Sequence, residues 1–153
     1  MTEIRYAHTN IISTHWKRLV AFYTDTFQCQ TVPPKRKQSG DWLAQGTGVS
    51  NATLEGVHLR LPGHGPNSPT LEIYQYQETL DQAALQPNHR GFGHIAFEVS
   101  NLQQVVDTLL ANGGSLCGQI THKKVPGVGN LSFVYARDPD GNIIELQTWS
   151  KEQ

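Results

Sequence analysis

Residues 93–114 read GHIAFEVSNLQQVVDTLLANGG, and their periodicity changes once along the way. The first part, around His94, is a strand-like run. From Leu102 onward the apolar residues Leu102, Val105, Val106 and Leu109 recur at helical spacing. Ser100 stands where a helix cap belongs, and Gln103, three residues on, would complete a capping box. Gly113 and Gly114 stop the run, because glycine accepts the left-handed turn after a helix. The stretch predicts strand, cap and a helix over 102–112.

The same order occurs earlier in the chain. A shift of 86 residues carries His94 onto His8, Ser100 onto Thr14, Leu102 onto Trp16, Val105 onto Leu19, Val106 onto Val20 and Leu109 onto Tyr23. A second helix is therefore expected over 14–27. Strand-like runs follow each helix, at 53–61 and 70–76 in the first half and at 130–137 and 142–148 in the second. Short strands at 29–32 and 116–120 complete two β-α-β-β-β modules, an α+β fold. The expected organisation is one domain, 1–153, made of modules at about 1–85 and 90–153, with no evident linker; the short segment 86–91 is the one candidate.

Composition narrows the function classes. The chain has 153 residues, a net charge of -1, 37% apolar and 16% charged residues. That balance suits a globular protein and offers no basic surface for nucleic acid or an acidic membrane. No apolar run approaches the length of a membrane span. The start, MTEIRYAHTN, carries no secretory pattern, so a cytoplasmic location is expected. Cys29 and Cys117 are too few for a disulfide framework and are expected to be reduced, buried thiols.

Each half also ends alike. Leu71-Glu72-Ile73 and Ile144-Glu145-Leu146 both set a glutamate between apolar neighbours in the last strand. These glutamates lie 73 positions apart, so the 86-residue repeat leaves 13 extra residues in the first half, expected in the loop 33–51 or the turn 62–69. A single strand histidine is as a rule a hydrogen-bonded core residue, and a single strand glutamate a solvated one. Histidine and glutamate recurring at matching places in both halves point instead to one divalent metal held by His8, Glu72, His94 and Glu145. Imidazole nitrogens suit zinc, nickel, cobalt and iron; carboxylates suit manganese as well. Two positions left open would admit two substrate oxygens. His58 falls in a predicted strand and could face the cavity, although a core or surface role is the simpler expectation. His15 reads as a surface or capping residue, and His64, His89 and His122 as loop residues. Lys123 and Lys124 could meet an anionic substrate tail, but a solvated loop is the simpler expectation.

The stretch 93–114 together with DPDGNIIELQ (138–147), and AHTNI (7–11) followed by a helix ending in FYTDTFQ (22–28), resembles the vicinal-oxygen-chelate superfamily of glyoxalases, bleomycin-resistance proteins and dioxygenases. The resemblance covers nearly the whole chain. It implies paired βαβββ modules forming an open, barrel-like cavity around a metal, in many members as a homodimer. Residue by residue, the family's ligands fall on His8, Glu72, His94 and Glu145. The implied chemistry is that of a lyase, isomerase or epimerase acting on a small carbonyl or thioester substrate through an enediolate, with Glu145 and Glu72 moving the proton. The tyrosines and the long first-half loop, including Trp42, would line the pocket. Glyoxalase I-type members carry an arginine soon after the first histidine and an asparagine soon after the first glutamate. Here those places read Thr9-Asn10-Ile11-Ile12-Ser13 and Tyr74-Gln75-Tyr76, which argues against glutathione. A methylmalonyl-CoA-epimerase-like branch, an extradiol iron dioxygenase and a ligand-sequestering binding protein share the fold.

Overall fold

The computed structural model describes residues 2–151. The residues up to Asp81 form one compact unit and those from Gln82 onward another.

In the first unit, β1 (His8–Ile12) leads into α1 (Trp16–Phe27), then β2 (Gln30–Ser39), α2 (Asp41–Thr47), β3 (Thr53–Arg60) and β4 (Thr70–Tyr76). The sheet order is β1-β4-β3-β2, with β1 parallel to β4 and the other pairs antiparallel. Helix α1 buries Trp16, Leu19, Phe22, Tyr23, Thr26 and Phe27, one stripe at helical spacing. It packs on β3 and β4, whose Val57, Leu59, Leu71 and Ile73 are buried. Strand side chains alternate between faces, so the residues between these, including His58 and Glu72, point away from α1.

The second unit contains β5 (Ile95–Glu98), α3 (Leu102–Ala111), β6 (Ser115–Leu116), β7 (Thr121–Val125), β8 (Gly129–Arg137) and β9 (Ile143–Ser150). Its sheet runs β5-β9-β8-β6, with β7 also paired to β8 and β5 parallel to β9. Leu102, Val106 and Leu109 of α3 are buried, and the helix packs on β9, where Ile144 and Leu146 are buried on either side of Glu145.

The α+β fold is as expected; several local readings need correction. His94 lies one residue before β5 rather than within it. Strand β2 runs on to Ser39, with a register shift between Val32 and Arg36 where Pro33 and Pro34 offer no N–H to the ladder. The rest of the expected 33–51 loop is largely α2. The extra length is shared: residues 40–52 join β2 to β3 where 126–128 suffice between β7 and β8, and 61–69 join β3 to β4 where 138–142 join β8 to β9. The expected strand 116–120 is replaced by β6 and β7, so His122, Lys123 and Lys124 are strand residues. Helix α3 is capped not by Ser100 but by Asn101, whose Oδ1 accepts from Gln104 N–H at 3.1 Å. At α1 the cap position is His15, with no side-chain cap bond; Ser13 Oγ accepts the His15 N–H at 2.9 Å. Cys29 is buried, which pushes its thiol up to about 12, but Cys117 is exposed. Among the described residues no helix is long and apolar enough to cross a membrane.

Candidate functional site

Three cross-strand rows order the face of the first sheet that points away from α1. His8 pairs with Thr70 and Thr70 with Arg60; Asn10 pairs with Glu72 and Glu72 with His58; Ile12 pairs with Tyr74, Tyr74 with Gly56 and Gly56 with Arg36. Residues in one row sit within side-chain reach, so register decides which groups meet.

Glu72 is the centre of this face. Its Oε2 lies 3.1 Å from His8 Nε2 and 3.3 Å from Asn10 Nδ2. Its Oε1 lies 2.9 Å from His58 Nε2 and accepts the Tyr74 hydroxyl at 3.2 Å. His58 Nδ1 is 2.9 Å from Thr70 Oγ1. A carboxylate only accepts, so His58 carries its proton on Nε2, and Thr70 donates to Nδ1. Burial draws the His58 imidazole below its ordinary value, against the upward pull of Glu72. Burial pushes the Tyr74 phenol up to about 12, with the charge and hydrogen bond of Glu72 adding to it and Arg36 opposing it. The carboxylate is shielded, with 12% of its side chain accessible, whereas His8 keeps 42%.

Tyr74 is held from behind. It joins Leu43 of α2, Ala52 and Leu54 in one buried cluster, against which Tyr76 packs. Gly56 leaves the room its ring needs: a Cβ there would meet Ile73 O at 2.0 Å and Tyr74 Cδ1 at 2.5 Å. Trp42, expected to line a pocket, sits on α2 and is exposed.

The second unit repeats the histidine–glutamate pair and little else. His94 Nε2 lies 2.8 Å from Glu145 Oε2, with 31% and 16% of the two side chains accessible. Glu145 pairs in register with Ala96 and Tyr135. These occupy the places of Asn10 and His58. The Tyr135 ring lies against His94, centroids 4.8 Å apart, rather than bonding the carboxylate. Two residues beyond Glu145, where the first half has Tyr74, stands Gln147, whose Oε1 accepts from Trp149 Nε1 at 3.3 Å. Among the described residues His94 is the one hydrogen-bonding partner of Glu145.

The structure thus brings His8 together with Glu72, and His94 with Glu145. Asn10 and Thr70 were not singled out by the sequence; His58 and the tyrosines stood there only as residues that could face the pocket, without a role. Among the described residues no three histidine, cysteine or acidic side chains gather into a metal-type cluster. His8 and His58 address opposite oxygens of Glu72, so these three do not converge on one point. Each histidine–glutamate pair nevertheless has the donor chemistry a divalent ion takes: an imidazole Nε2 and a carboxylate oxygen side by side.

Residues 5–146 match the sequence profile of the Glyoxalase/Bleomycin resistance protein/Dioxygenase superfamily. The chain belongs to that superfamily. It is 38% identical over 65 residues to glyoxalase I of Saccharomyces cerevisiae, a match covering 42% of this chain and 18% of that longer protein. A glyoxalase family protein from Bacillus cereus superposes with a TM-score of 0.82 at 16% identity, covering 97% of this chain and 96% of that one. The fosfomycin resistance protein FosX of Listeria monocytogenes, solved with Mn(II) and sulfate, superposes with a TM-score of 0.55 at 14% identity, covering 97% and 95%. At these identities the structures establish shared fold alone.

Proposed function

We propose that the protein is a divalent-metal-dependent lyase or isomerase that moves a proton next to the carbonyl of a small carbonyl or thioester substrate. His8, Glu72, His94 and Glu145 would hold the metal. The observation that carries the reading is the repeated pairing of imidazole Nε2 with a carboxylate, at 3.1 Å in one unit and 2.8 Å in the other. Superfamily membership supports it, and FosX shows Mn(II) on this fold. The reading takes the protein to be cytoplasmic, as the sequence suggests, and a homodimer, as the family resemblance implies.

When bound, the metal supplies positive charge that stabilises the oxygen anion of the enediolate. The protein's own residues divide the remaining work. Glu145, with one hydrogen-bonding partner, is free to turn toward the substrate carbon, accept its proton and return it to the neighbouring carbon. Its side chain is mostly shielded, with 16% accessible, so little water competes for the carboxylate. Glu72, held at both oxygens, serves as ligand.

The test has two parts. Metal-free protein titrated with zinc, nickel, cobalt and manganese should bind one ion per chain, and His8→Ala and His94→Ala should each weaken that binding. Candidate 2-oxoaldehyde-derived and acyl-CoA substrates should then exchange their α-proton for solvent deuterium. No binding of any of the four metals would refute the site. Oxygen uptake with a catechol and no exchange with any carbonyl compound would assign the protein to the dioxygenases, and tight ligand binding independent of the four residues would make it a sequestering protein.

A further inference from the structure

Glu72 presents its two oxygens to different groups, and the division is informative. Oε2 shares its side with His8 Nε2 at 3.1 Å, the group the proposed function pairs with it as a ligand. Oε1 is turned the other way and takes two donors, His58 Nε2 at 2.9 Å and the Tyr74 hydroxyl at 3.2 Å. His58 cannot rotate freely, because Thr70 Oγ1 holds its Nδ1 at 2.9 Å. Nor can Tyr74, whose ring is seated among Leu43, Ala52 and Leu54 and over Gly56. Each donor is therefore itself anchored. A carboxylate with one oxygen bound by two anchored donors has its plane fixed and its other oxygen aimed.

We propose that His58 and Tyr74 are positioning residues that clamp Oε1 of Glu72 and fix Oε2 as the metal-facing oxygen. The proposal rests on the proposed function and adds to it the two residues that orient one of its ligands. Residues 40–52 belong to the clamp as well: they place Leu43 and Ala52 behind Tyr74, and the corresponding joint of the second half, residues 126–128, has no such insert.

The experiment measures affinity for Zn(II) and Co(II) by competition with a chromophoric chelator, on the full-length protein. The variants are His58→Leu, Tyr74→Phe, His58→Gln and, as references, Glu72→Ala and His8→Ala. Leucine fills the place of the imidazole without a donor. Glutamine returns an N–H donor at nearly the position of Nε2. Loss of an anchored partner behind a ligand typically weakens metal binding by about 10–100-fold. His58→Leu and Tyr74→Phe should each fall in that range, with the melting temperature of the metal-free protein near that of wild type. His58→Gln should recover most of the loss, which a merely structural role for the ring would not produce. Should His58→Leu fail to fold, Tyr74→Phe and His58→Gln carry the same test. Wild-type affinity in both His58→Leu and Tyr74→Phe, while Glu72→Ala and His8→Ala lose the metal, would overturn the clamp and leave the proposed function standing. A wild-type protein that binds neither metal would overturn both.

Discussion

The two half-sites share a histidine–glutamate pair on one strand frame and differ in the side chains behind it. Glu72 receives four donors, from His8, Asn10, His58 and Tyr74. Among the described residues Glu145 receives one, from His94. The strand frame is the same in both, with a parallel first strand on one side of the glutamate and an antiparallel neighbour on the other. Only the residues in register have diverged: Asn10 against Ala96, His58 against Tyr135, Tyr74 against Gln147. A repeated frame thus gives each carboxylate its place, while the facing residues decide whether it is held or free. Ligation wants a fixed oxygen, and proton transfer wants one that can turn.

The largest expected effect separates the two glutamates. Glu145→Gln should keep most of its metal, since an amide oxygen still coordinates, yet slow α-proton exchange by about 10²–10⁴-fold because an amide cannot accept the proton. Glu72→Gln should act chiefly on metal binding. Its amide group faces donors on both sides, so one N–H₂ must oppose either the His58–Tyr74 pair or the metal side. Measuring affinity and exchange on both variants checks the contrast. Equal loss of exchange at equal metal content would abolish the division of labour.

Much of that division is out of sight in the sequence. The shift of 86 residues aligns His8 with His94 and the helix stripes with one another, and it foretold two helices and the glutamate-bearing strands. The helix match is off by a step in one place, since Leu19 is fully buried but its counterpart Val105 is not, and Val106 takes the inner position. Helix α2 escaped because Asp41–Thr47 is only seven residues long, carries Gly46 within it and buries Leu43 alone, too little for a helical stripe. The partners of Glu72 escaped for a different reason: they depend on register. His58 and Glu72 are 14 residues apart, and their meeting follows from a turn centred on Gly65, about which every β3–β4 pair is symmetric. That symmetry could have been tried on the sequence, because GHG at 63–65 marks the turn. The burial that draws the His58 imidazole down depends on packing and has no comparable mark.

A smaller effect should come from making the second half resemble the first. Ala96→Asn and Tyr135→His together place donors at the register positions beside Glu145 that Asn10 and His58 occupy beside Glu72. Hydrogen bonds to a carboxylate stabilise its charged form and weaken it as a base. The double variant should bind metal at least as tightly as wild type while exchange slows by about tenfold. Faster exchange would show that Glu145 suffers from too little support rather than benefiting from it.

Gly56→Ala tests the packing behind the clamp. The added Cβ would overlap the Ile73 carbonyl and the Tyr74 ring, neither of which can retreat without disturbing β4. Overpacking of this kind costs about 1–3 kcal/mol. Stability measured by denaturant should fall by that amount, and metal affinity should fall with it as Tyr74 is displaced. The corresponding place in β8 is Phe133, which pairs with Gln147 as Gly56 pairs with Tyr74, so the second half already accommodates a large side chain there. Phe133→Ala should leave metal affinity near the wild-type value.

The smallest expected effect lies at the ends of the two helices. Helix α3 closes at Asn112, and Gly113 follows with φ 90°, the left-handed conformation that glycine adopts without strain. Helix α1 makes its turn with Gln28 at φ 58°. There the N–H of Gln28 bonds to Thr24 O at 3.1 Å and that of Cys29 to Tyr23 O at 3.3 Å, so the turn is required to satisfy the last carbonyls. A glutamine Cβ crowds the following carbonyl in that conformation, at a cost of about 1–2 kcal/mol. Glycine removes the crowding but gives back part of the gain, because it makes the unfolded chain more flexible. The Gln28 side chain is exposed, so little packing is lost with it. Gln28→Gly should therefore stabilise the protein by about 0.5–1 kcal/mol, a rise of a few degrees at most in melting temperature. Metal affinity should not change, since Gln28 touches neither glutamate. Gly113→Gln in α3 should do the reverse and lower stability by a similar or larger amount. If Gln28→Gly is destabilising while Gly113→Gln is neutral, the two helix ends are not held by the same turn, and the parallel between the halves stops at the helix stripes.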